Sequence, residues 1–372
     1  MTAGNLTPSG PVVLFACGGS GGHVLPALAV AAELNRLAPE VRCRFVISPR
    51  PIDQQLLLAH GVSGVVLEAP DSNLCWKSPW RAGRQFWRAW QQGTRVVSQE
   101  QPVVVVGTGG AVSLPVGFAA IRQRRPLLLI EPNAVWGRAN ACLWRWARRV
   151  FTGFPVTAAP QRAGEPQRVQ VTGVPLRRAI CELADRPLPL GRHTLLIMGG
   201  SQGASDLNSA VLESLPQWVS SLGGWRIVHL TGIRDVQRVQ ERYLELGTPA
   251  EVLPFVPDMV PLYIESGLAI CRAGASTLGE LACAGIPAVV WPHLEAVRQH
   301  QVRNAEQYAA QGGVALLHET AVPAAARELS GHLKRLLEET TDRERMVDSQ
   351  RRQARPRAAE EIAEAILKHF PR

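Results

Sequence analysis

Four places where a strand is expected to end and a helix to begin carry residues suited to holding an anion. The first has the sequence GGSGGH at residues 18–23, the second GTGG at 107–110 and the third GGSQGA at 199–204. Glycine lets the backbone approach a ligand closely, and the N-terminus of a following helix presents free N–H groups and partial positive charge. A fourth junction has the sequence CRAGASTLGE at residues 271–280. Together these junctions predict a phosphorylated ligand in a cleft.

The glycine loops differ from the fingerprints of dinucleotide and ATP binding. A dinucleotide fold needs G-x-G-x-x-G and an acidic residue at the end of the second strand. Here Val24 stands at the last glycine position, and the second strand ends in Ser48, Pro49 and Arg50. None of the loops matches G-x-x-x-x-G-K-[ST], which disfavours P-loop ATP hydrolysis. A plain tight turn is the alternative for each loop, although a single glycine would satisfy it.

Polar side chains beside these junctions are candidates for catalytic or ligand-binding roles. His23 closes the first glycine loop and is a candidate general base. A carboxylate at Glu280, one turn into its helix, can accept hydrogen bonds from two ribose hydroxyls while the helix N-terminus holds phosphate. The alternative for Glu280 is an ordinary solvated charge. One face of a later helix carries His300, Gln301 and Asn304. Polar residues in such a position are more often ordinary surface residues than ligand contacts.

Short apolar runs alternate with helical patterns in the first half of the chain. Such β-branched runs between helices are typical of parallel strands buried on both faces, the doubly wound α/β arrangement. The predicted strands are PVVLFAC, VRCRFVIS, PVVVVG and PLLLI, and the predicted helices are 24–38, 52–60, 112–122 and 134–148.

A second α/β half follows a polar stretch that contains proline and glycine (DRPLPLGR). Further strands (TLLIM, WRIVHLTG, EVLPF, LAICRAG, PAVVWP and VALL) alternate with helices near 204–219, 234–246, 275–284 and 300–311. The charged tail is helical and broken at Pro356. The pattern therefore predicts two Rossmann-like domains with a central cleft. Their expected bounds are 1–178, a linker at 179–192, a second domain at 193–350, and a C-terminal helix at 351–372 that packs back on the first domain.

Composition narrows the class of protein. The 372 residues are 46% hydrophobic and 19% charged, which indicates a globular protein of two domains. No run of about 18 apolar residues could span a bilayer, and the start, MTAGNLTPSG, lacks the features of a signal peptide. We therefore expect a cytoplasmic protein. The seven cysteines contain no C-x-x-C pair and indicate neither a disulfide framework nor a zinc site. A formal net charge of +9 predicts an acidic partner.

A basic and aromatic stretch is the best candidate for the segment that binds this acidic partner. No acidic residue occurs between Asp71 and Glu100. On a helical wheel Arg81, Arg84 and Arg88 share one arc, and Trp80, Phe86, Trp87 and Trp90 occupy the adjoining one, with Trp76 and Lys77 just before. Such a helix can lie in an anionic headgroup layer. One alternative is that the tryptophans are core residues of a capping helix, although Gly83 weakens the prediction of a helix here. The other alternative is RNA binding, but the segment contains no recognised RNA-binding motif.

Nearly the whole chain resembles the MurG family, the bacterial enzymes that add N-acetylglucosamine to lipid I to make lipid II for peptidoglycan. GGSGGHVLPALAVAAEL, GTGGAVSLPVGFAA and MGGSQGASDLN are similar to the three glycine loops of that family. EPNAVWGRAN resembles its E-Q-N-x-x-x-G-x-x-N segment, and VTGVPLR its G-N-P-[VI]-R segment. The run from VPDMVPLYIESGLAICRAGASTLGEL to HQVRNA resembles its donor-binding half.

The resemblance implies the GT-B fold and an inverting transfer. UDP-N-acetylglucosamine would bind mainly to the second domain, and lipid I would enter through the first. The family uses no metal and no cofactor, and this chain carries no Asp-x-Asp motif at a strand end. Backbone N–H groups and cations would then stabilise the leaving diphosphate. The resemblance also implies a peripheral place on the cytoplasmic face of the bacterial inner membrane, with no nucleic-acid partner.

Site residues follow from the matching positions. His23 is the first candidate for the base that takes the hydroxyl proton, with Glu131 and Asn133 second, and the choice stays open. Val256 would contact uracil through its backbone, and Arg272 would lie near the diphosphate. The predicted substrate-binding residues are Gly19, Ser20, Gly21, Asn133, Arg177, Ser201, Gln202, Val256, Arg272, Ala275, Ser276, Thr277, Leu278, Gly279, Glu280, His300 and Gln301. The predicted membrane-binding residues are Trp80, Arg84, Trp87 and Arg88.

The chain departs from the family pattern at several positions, which leave the donor core intact. The changed positions are Ala111 for Tyr, Pro132 for Gln, Val174 for Asn, Ser205 for Arg, and Arg298 with Gln299 for acidic residues. These departures put in doubt how the diphosphate and sugar of the acceptor are held. Three alternatives therefore stay open: another GT-B transferase with a lipid acceptor, a UDP-sugar epimerase of the same architecture, and a non-catalytic nucleotide- or lipid-binding relative.

Overall fold

A computed structural model describes residues 10–70, 78–155, 168–189, 191–200, 203–293 and 299–370. The chain forms two compact units, each built around its own sheet. The first unit comprises residues 1–177 together with 357–372, and the second comprises 178–356.

The first unit contains a seven-stranded parallel sheet. Its strands are β1 (Val12–Ala16), β2 (Arg42–Ile47), β3 (Gly64–Val66), β4 (Val104–Gly107), β5 (Leu127–Glu131), β6 (Arg149–Thr152) and β7 (Val169–Val171). They lie in the order β3-β2-β1-β4-β5-β6-β7. The central strands β1, β4 and β5 are buried along their whole length, because helices cover both faces of the sheet.

The helices of the first unit confirm the predicted alternation. They are α1 (Gly21–Leu37), α2 (Pro51–Ala59), α3 (Pro79–Glu100), α4 (Ser113–Arg122) and α5 (Arg138–Leu143). The helix predicted over 134–148 is shorter, because a loop precedes Arg138 and a 3-10 turn over Trp144–Trp146 follows it. A helix begins at Pro79 despite Gly83, as proline fits the first turn of a helix.

The last helix of the chain belongs to the first unit. After a break that contains Pro356, the chain forms a helix over Ala358–Leu367, whose Ile362 and Ile366 are buried in the cluster that also holds α1. An ion pair of 2.8 Å between Arg36 Nη2 and Glu360 Oε1 joins the two helices at the surface.

The second unit contains a six-stranded parallel sheet. Its strands are β8 (Thr194–Met198), β9 (Arg226–Leu230), β10 (Glu251–Leu253), β11 (Ser266–Cys271), β12 (Ala288–Val290) and β13 (Val314–Leu316), in the order β10-β9-β8-β11-β12-β13. Its helices are α6 (Arg178–Cys181), α7 (Ser205–Trp218), α8 (Val236–Glu245), α9 (Val260–Glu265), α10 (Ala275–Ala284), α11 (His300–Ala309), α12 (Val322–Glu338) and α13 (Thr340–Gln353), and the final helix of the chain is α14 (Ala358–Leu367).

Both sheets reverse their strand order where the predicted junctions lie. In the first unit the chain builds β1 to β3 outward in one direction and then returns to place β4 on the other side of β1. In the second unit β11 is placed beside β8 in the same way. Open α/β sheets bind ligands outside the carboxyl ends of their strands at this kind of reversal. Each unit therefore brings two of the four junctions together at a favoured binding position.

Candidate functional site

The first unit fixes the ring of His23 against the second glycine loop. His23 Nδ1 lies 2.8 Å from the backbone oxygen of Thr108, and the Thr108 hydroxyl donates to the backbone oxygen of His23 at 2.7 Å. Gly109 has φ +99°, and a Cβ there would lie 2.8 Å from His23 Cε1, so only glycine fits. A carbonyl oxygen can only accept, so Nδ1 carries the hydrogen and Nε2 carries the lone pair of the neutral ring.

Three side chains at the end of β2 and the start of α2 hold the first glycine loop. Gly19 N donates to Asp53 Oδ2 at 2.7 Å, and Arg50 Nη1 donates to the Gly19 oxygen at 2.7 Å. Asp53 is fully buried and also accepts the Ser48 hydroxyl at 2.5 Å. Sequence reasoning missed Ser48, Arg50 and Asp53 as loop supports. Because Asp53 takes the Gly19 N–H, an anion at this loop would depend on other donors.

The start of α1 lies within the first loop. Ser20 has an extended backbone (φ −169°), and its carbonyl accepts from His23 N at 3.1 Å. Gly21 is the first helical residue. The predicted residues Gly19, Ser20, Gly21 and His23 are therefore consecutive parts of one turn, placed at the end of β1.

Glu131 is an anchor for the loop that follows β5. Its side chain is 1% exposed, and its carboxylate accepts hydrogen bonds from Gly137 N at 2.7 Å, Asn140 Nδ2 at 3.0 Å and Asn133 N at 3.2 Å. These contacts shape residues 132–140 around a buried carboxylate. Arg177, the other predicted contact of this unit, is half-buried. It is the last residue of the first unit before the chain enters the second unit at residue 178.

In the second unit an ion pair links the third glycine loop to the fourth junction. Gly203 has φ +75°, and a Cβ there would lie 2.4 Å from the Thr231 oxygen, so the loop packs tightly before α7. Asp206, in the first turn of α7, accepts a hydrogen bond from Arg272 Nη2. The predicted residues Ser201 and Gln202 lie outside the described residues.

Arg272 is 8% exposed and engaged on several sides. Its Nη1 donates to the Trp291 oxygen at 3.0 Å, and its guanidinium lies 4.7 Å from the centre of the Trp291 ring. Partial burial opposes ionisation of Asp206, but the hydrogen bond and charge of Arg272 outweigh it and lower the pKa of that carboxyl. Arg272 therefore stabilises the third glycine loop against the fourth junction. Its positive charge is paired with the carboxylate of Asp206 in the same unit.

The N-cap of helix α10 is Gly274, and no side-chain cap hydrogen bond is formed there within the described residues. The buried Oγ of Ser276 has no hydrogen-bond partner in the described part of the chain. Such donors at a helix N-terminus suit a phosphate group. The remaining predicted residues of this helix are Ala275, Leu278 and Gly279, which are buried, and Thr277 and Glu280, which are half-buried.

Glu280 accepts a hydrogen bond of 2.7 Å from the Tyr263 hydroxyl at its Oε2. Helix α11 supports the same junction from another direction, because Asn304 Nδ2 donates to the Ala273 oxygen at 3.2 Å. Gln301 Oε1 accepts from His293 N at 2.9 Å, and His300 is half-buried beside it. Val256 is half-buried in the loop after β10. Sequence reasoning missed Tyr263, although it lies less than one turn before β11 in the donor-like run.

Helix α3 presents aromatic and basic side chains at the surface of the first unit. Trp80 is 91% exposed and Trp87 55%, and Arg81, Arg84 and Arg88 are exposed. Trp90 packs against the core, so the core alternative holds for this tryptophan. The predicted Trp76 and Lys77 lie outside the described residues.

The aromatic surface continues from α3 to the 3-10 turn after α5. The Phe86 ring lies 6.3 Å from Phe118, which lies 5.9 Å from Trp146, itself 52% exposed. In the described ranges no helix has the length and apolarity needed to cross a bilayer. The same ranges contain no group of three or more His, Cys, Asp or Glu that could hold a metal ion.

Two parallel-sheet units, each with two glycine-containing junctions at its strand reversal, form the GT-B fold. The chain belongs to glycosyltransferase family 28: residues 13–152 match its N-terminal domain and residues 194–362 its C-terminal domain.

The relatives agree with this assignment. The chain is 36% identical over 359 residues to the UDP-N-acetylglucosamine–N-acetylmuramyl-(pentapeptide) pyrophosphoryl-undecaprenol N-acetylglucosamine transferase of Stutzerimonas stutzeri, covering 95% of this chain and 98% of that protein. The crystal structure of Acinetobacter baumannii MurG aligns with a TM-score of 0.72 at 30% identity, covering 96% of this chain and 99% of that one. A putative UDP-N-acetylglucosamine 2-epimerase from Listeria monocytogenes has a TM-score of 0.68 at 18% identity, covering 97% of each chain, which shows a shared fold alone.

Proposed function

We propose that this protein transfers N-acetylglucosamine from UDP-N-acetylglucosamine to the 4-hydroxyl of the muramoyl sugar of lipid I, giving lipid II. The observation that carries the proposal is the α10 junction. In the part of the chain that the structure describes, this N-terminus has no side-chain cap and the buried Ser276 hydroxyl has no hydrogen-bond partner, and Glu280 follows one turn later. Anion donors beside a carboxylate suit a nucleoside diphosphate, whose phosphates accept hydrogen bonds and whose ribose donates them. The name of the Stutzerimonas stutzeri relative supports the choice of sugar and acceptor.

The second unit holds the donor in this proposal. The diphosphate binds the N-terminus of α10 through backbone N–H groups and Ser276, and the ribose hydroxyls donate to Glu280. The backbone at Val256 contacts uracil, and Gln301, His300 and the third glycine loop line the sugar end. Arg272 acts through its contacts with Asp206 and Trp291, which keep the third loop and the α10 junction at a fixed spacing.

The leaving diphosphate is stabilised by the protein rather than by a metal ion. Charge builds on the diphosphate as the bond from its oxygen to the anomeric carbon breaks. Preorganised N–H groups at a helix N-terminus oppose that charge without reorganising. We expect activity to persist in the presence of a chelator such as EDTA, and loss of activity that added Mg²⁺ restores would contradict this part of the proposal.

The first unit supplies the base. As the acceptor 4-oxygen forms its bond to the anomeric carbon, the hydroxyl proton passes to His23 Nε2, and UDP departs from the opposite face with inversion. The hydrogen bond from Nδ1 to the Thr108 oxygen keeps the lone pair on Nε2 and stabilises the imidazolium that forms. Glu131 is less suited, since its buried carboxylate already accepts from four backbone and amide donors. The remaining substrate contacts of the first unit in this proposal are Gly19, Ser20, Gly21, Asn133 and Arg177.

Product analysis tests the function directly. The purified protein is incubated with UDP-N-acetylglucosamine and a lipid I analogue, and the products are separated and identified by mass. We expect a β-linked disaccharide on the lipid and one UDP for each disaccharide. His23→Ala is the matched negative control, because loss of the base should lower turnover by about 10²–10⁴-fold. Release of UDP and free sugar without disaccharide would overturn the transferase proposal. An epimerised sugar nucleotide would identify the protein as an epimerase, and binding without turnover would identify it as a non-catalytic relative.

The aromatic and basic surface of the first unit would hold the protein on the cytoplasmic face of the membrane. Trp80 and Trp87 are large, exposed and close to the exposed cations Arg84 and Arg88. Indole rings favour the headgroup layer, and each nearby cation contributes about 1 kcal/mol at an anionic surface. The Phe86, Phe118 and Trp146 rings extend the same surface.

Vesicle binding tests this surface separately from catalysis. Trp80→Ala combined with Arg84→Glu should lower sedimentation with phosphatidylglycerol vesicles about tenfold or more, because it removes one anchor and reverses one charge. The matched control is Leu244→Ala with Arg327→Glu, which changes an exposed apolar residue and an exposed cation of the second unit. UDP affinity should stay unchanged in both. Equal vesicle binding by the two variants would contradict the assignment.

A further inference from the structure

A buried tyrosine in the second unit contacts the carboxylate that the proposed function assigns to ribose. Tyr263 lies in the short helix α9 and is 1% exposed. Its hydroxyl lies 2.7 Å from Glu280 Oε2 and 4.0 Å from Met198 Sδ, at the last residue of β8. The tyrosine therefore connects α10 with the strand that leads into the third glycine loop.

The direction of the hydrogen bond fixes its chemical meaning. An ionised carboxylate only accepts, so the phenol must donate to Glu280 Oε2. A donor in a buried, fixed position selects one plane of the carboxylate, because the last torsion of a glutamate side chain is otherwise broad. Glu280 is half-buried, so part of the residue lies at the surface of the unit, where a ligand can approach it.

A preset carboxylate plane matters for a ligand with two adjacent hydroxyls. The 2′- and 3′-hydroxyls of ribose are a pair of donors with a fixed separation, and a carboxylate in the right plane accepts from both. Binding then avoids the entropic cost of ordering the glutamate side chain. A nucleotide that lacks the 2′-hydroxyl gains nothing from the preset plane at that position.

We propose that Tyr263 is a positioning residue that sets the Glu280 carboxylate for a ribose diol, and so determines the preference of this site for ribonucleotides over 2′-deoxyribonucleotides. The inference rests on the proposed function, because it takes Glu280 as the ribose contact. It adds a specificity determinant that acts through Glu280 and does not touch the substrate.

The experiment compares UDP and 2′-deoxy-UDP on the full-length protein by isothermal titration calorimetry. Wild-type protein should bind UDP more tightly than 2′-deoxy-UDP. Tyr263→Phe should weaken UDP binding about tenfold, the effect of losing one hydrogen bond to a charged group, and should leave 2′-deoxy-UDP nearly unchanged. In turnover the KM for the donor should rise, with kcat preserved. Adding Tyr263→Phe to Glu280→Gln should have no further effect on either ligand.

Two further variants separate positioning from general packing. Tyr243→Phe is the matched control, since Tyr243 is also buried and its hydroxyl bonds to His229 Nδ1 at 3.1 Å. It should leave the ratio of the two affinities as in wild type. Glu280→Asp, which withdraws the carboxylate from the Tyr263 hydroxyl by one methylene, should reduce the ratio as Tyr263→Phe does.

The outcomes distinguish failure of the inference from failure of the proposed function. If Tyr263→Phe weakens both ligands equally, the tyrosine has a packing role and the inference is overturned. The inference is also overturned if the ratio of the affinities for UDP and 2′-deoxy-UDP in Tyr263→Phe stays at its wild-type value. If wild-type protein does not bind UDP, or binds both ligands equally, the ribose assignment of Glu280 fails, and the inference fails with it.

Discussion

The two units hold their binding junctions in different ways. In the first unit the Gly19 peptide is fixed by charged side chains from the neighbouring strand end, Asp53 on its N–H and Arg50 on its oxygen. In the second unit the N-cap of α10 is Gly274, and among the described residues its first turn has no side-chain cap, as is also true of α1. Its supports are pairs of side chains, Arg272 with Asp206 and Tyr263 with Glu280.

This difference matches two kinds of chemistry. A loop that uses its own N–H internally is suited to hold a reactive group still, and in the first unit that group is the His23 ring. A helix N-terminus with uncapped N–H groups is suited to receive an anion. The proposed function places proton transfer on the first unit and nucleotide binding on the second, and mutations should separate the two.

The largest expected effect is that of His23→Ala on turnover. Loss of a positioned general base should lower kcat by about 10²–10⁴-fold. The affinity for UDP should change less than about twofold, because the substitution leaves every donor contact of the second unit in place. Steady-state kinetics with a lipid I analogue and calorimetry with UDP provide the two readouts. A loss of UDP affinity as large as that of a donor-site variant would break the division between the units.

Glu280→Ala should have the opposite pattern. Two hydrogen bonds from ribose to a carboxylate should cost about 100-fold in UDP affinity when they are removed, since bonds to charged groups are the stronger kind. The fall in kcat at saturating donor should be much smaller than for His23→Ala. The measurement is the KM for donor beside kcat, and a kcat loss without a KM change would contradict the ribose role.

The sequence predicts the fold well because its signals are local. Continuous apolar runs such as residues 103–106 mark buried parallel strands, and the glycine loops mark strand ends. Helix bounds are less accurate where tertiary contacts decide them, as at Arg138, where Glu131 accepts the Gly137 N–H and fixes the preceding loop.

The supports of the site are hidden from sequence reasoning for a physical reason. Asp53 is 34 residues from Gly19, and Asp206 is 66 residues from Arg272. Neither partner forms a spacing pattern along the chain, since parallel strands bring distant segments together at one sheet edge. An acidic residue in the first turn of a helix also looks like an ordinary favourable dipole contact. Only the three-dimensional contacts separate these roles.

Asp53→Ala should destabilise the first unit and leave the second intact. The change leaves the Gly19 N–H and the Ser48 hydroxyl without their acceptor in a buried place, which costs about 2 kcal/mol of unfolding free energy. Ser48→Ala is the milder control, because it removes one partner and keeps the Gly19 bond. Urea unfolding measures the stability, and UDP calorimetry should give the wild-type affinity. A weakened UDP affinity in Asp53→Ala would show that the two junctions are not independent.

The smallest effect should come from Asp206→Asn, and it should depend on pH. The side chain of Asp206 is 45% exposed, so solvent screening limits the ion pair with Arg272 to about 1 kcal/mol of stability. The pKa of this carboxyl is lowered in the folded protein, so its stabilising contribution is present above its ordinary pKa and is lost as the pH falls through the folded value. Wild-type protein should therefore exceed Asp206→Asn in stability at pH 7, and the gap should narrow progressively as the pH falls below about 4. Urea unfolding of both proteins across this range measures the gap. A stability gap that is the same at pH 7 and pH 3 would mean that the shape of the Asp206 side chain, and not its charge, supports the second junction. The ion pair with Arg272 would then not be what distinguishes this junction from that of the first unit.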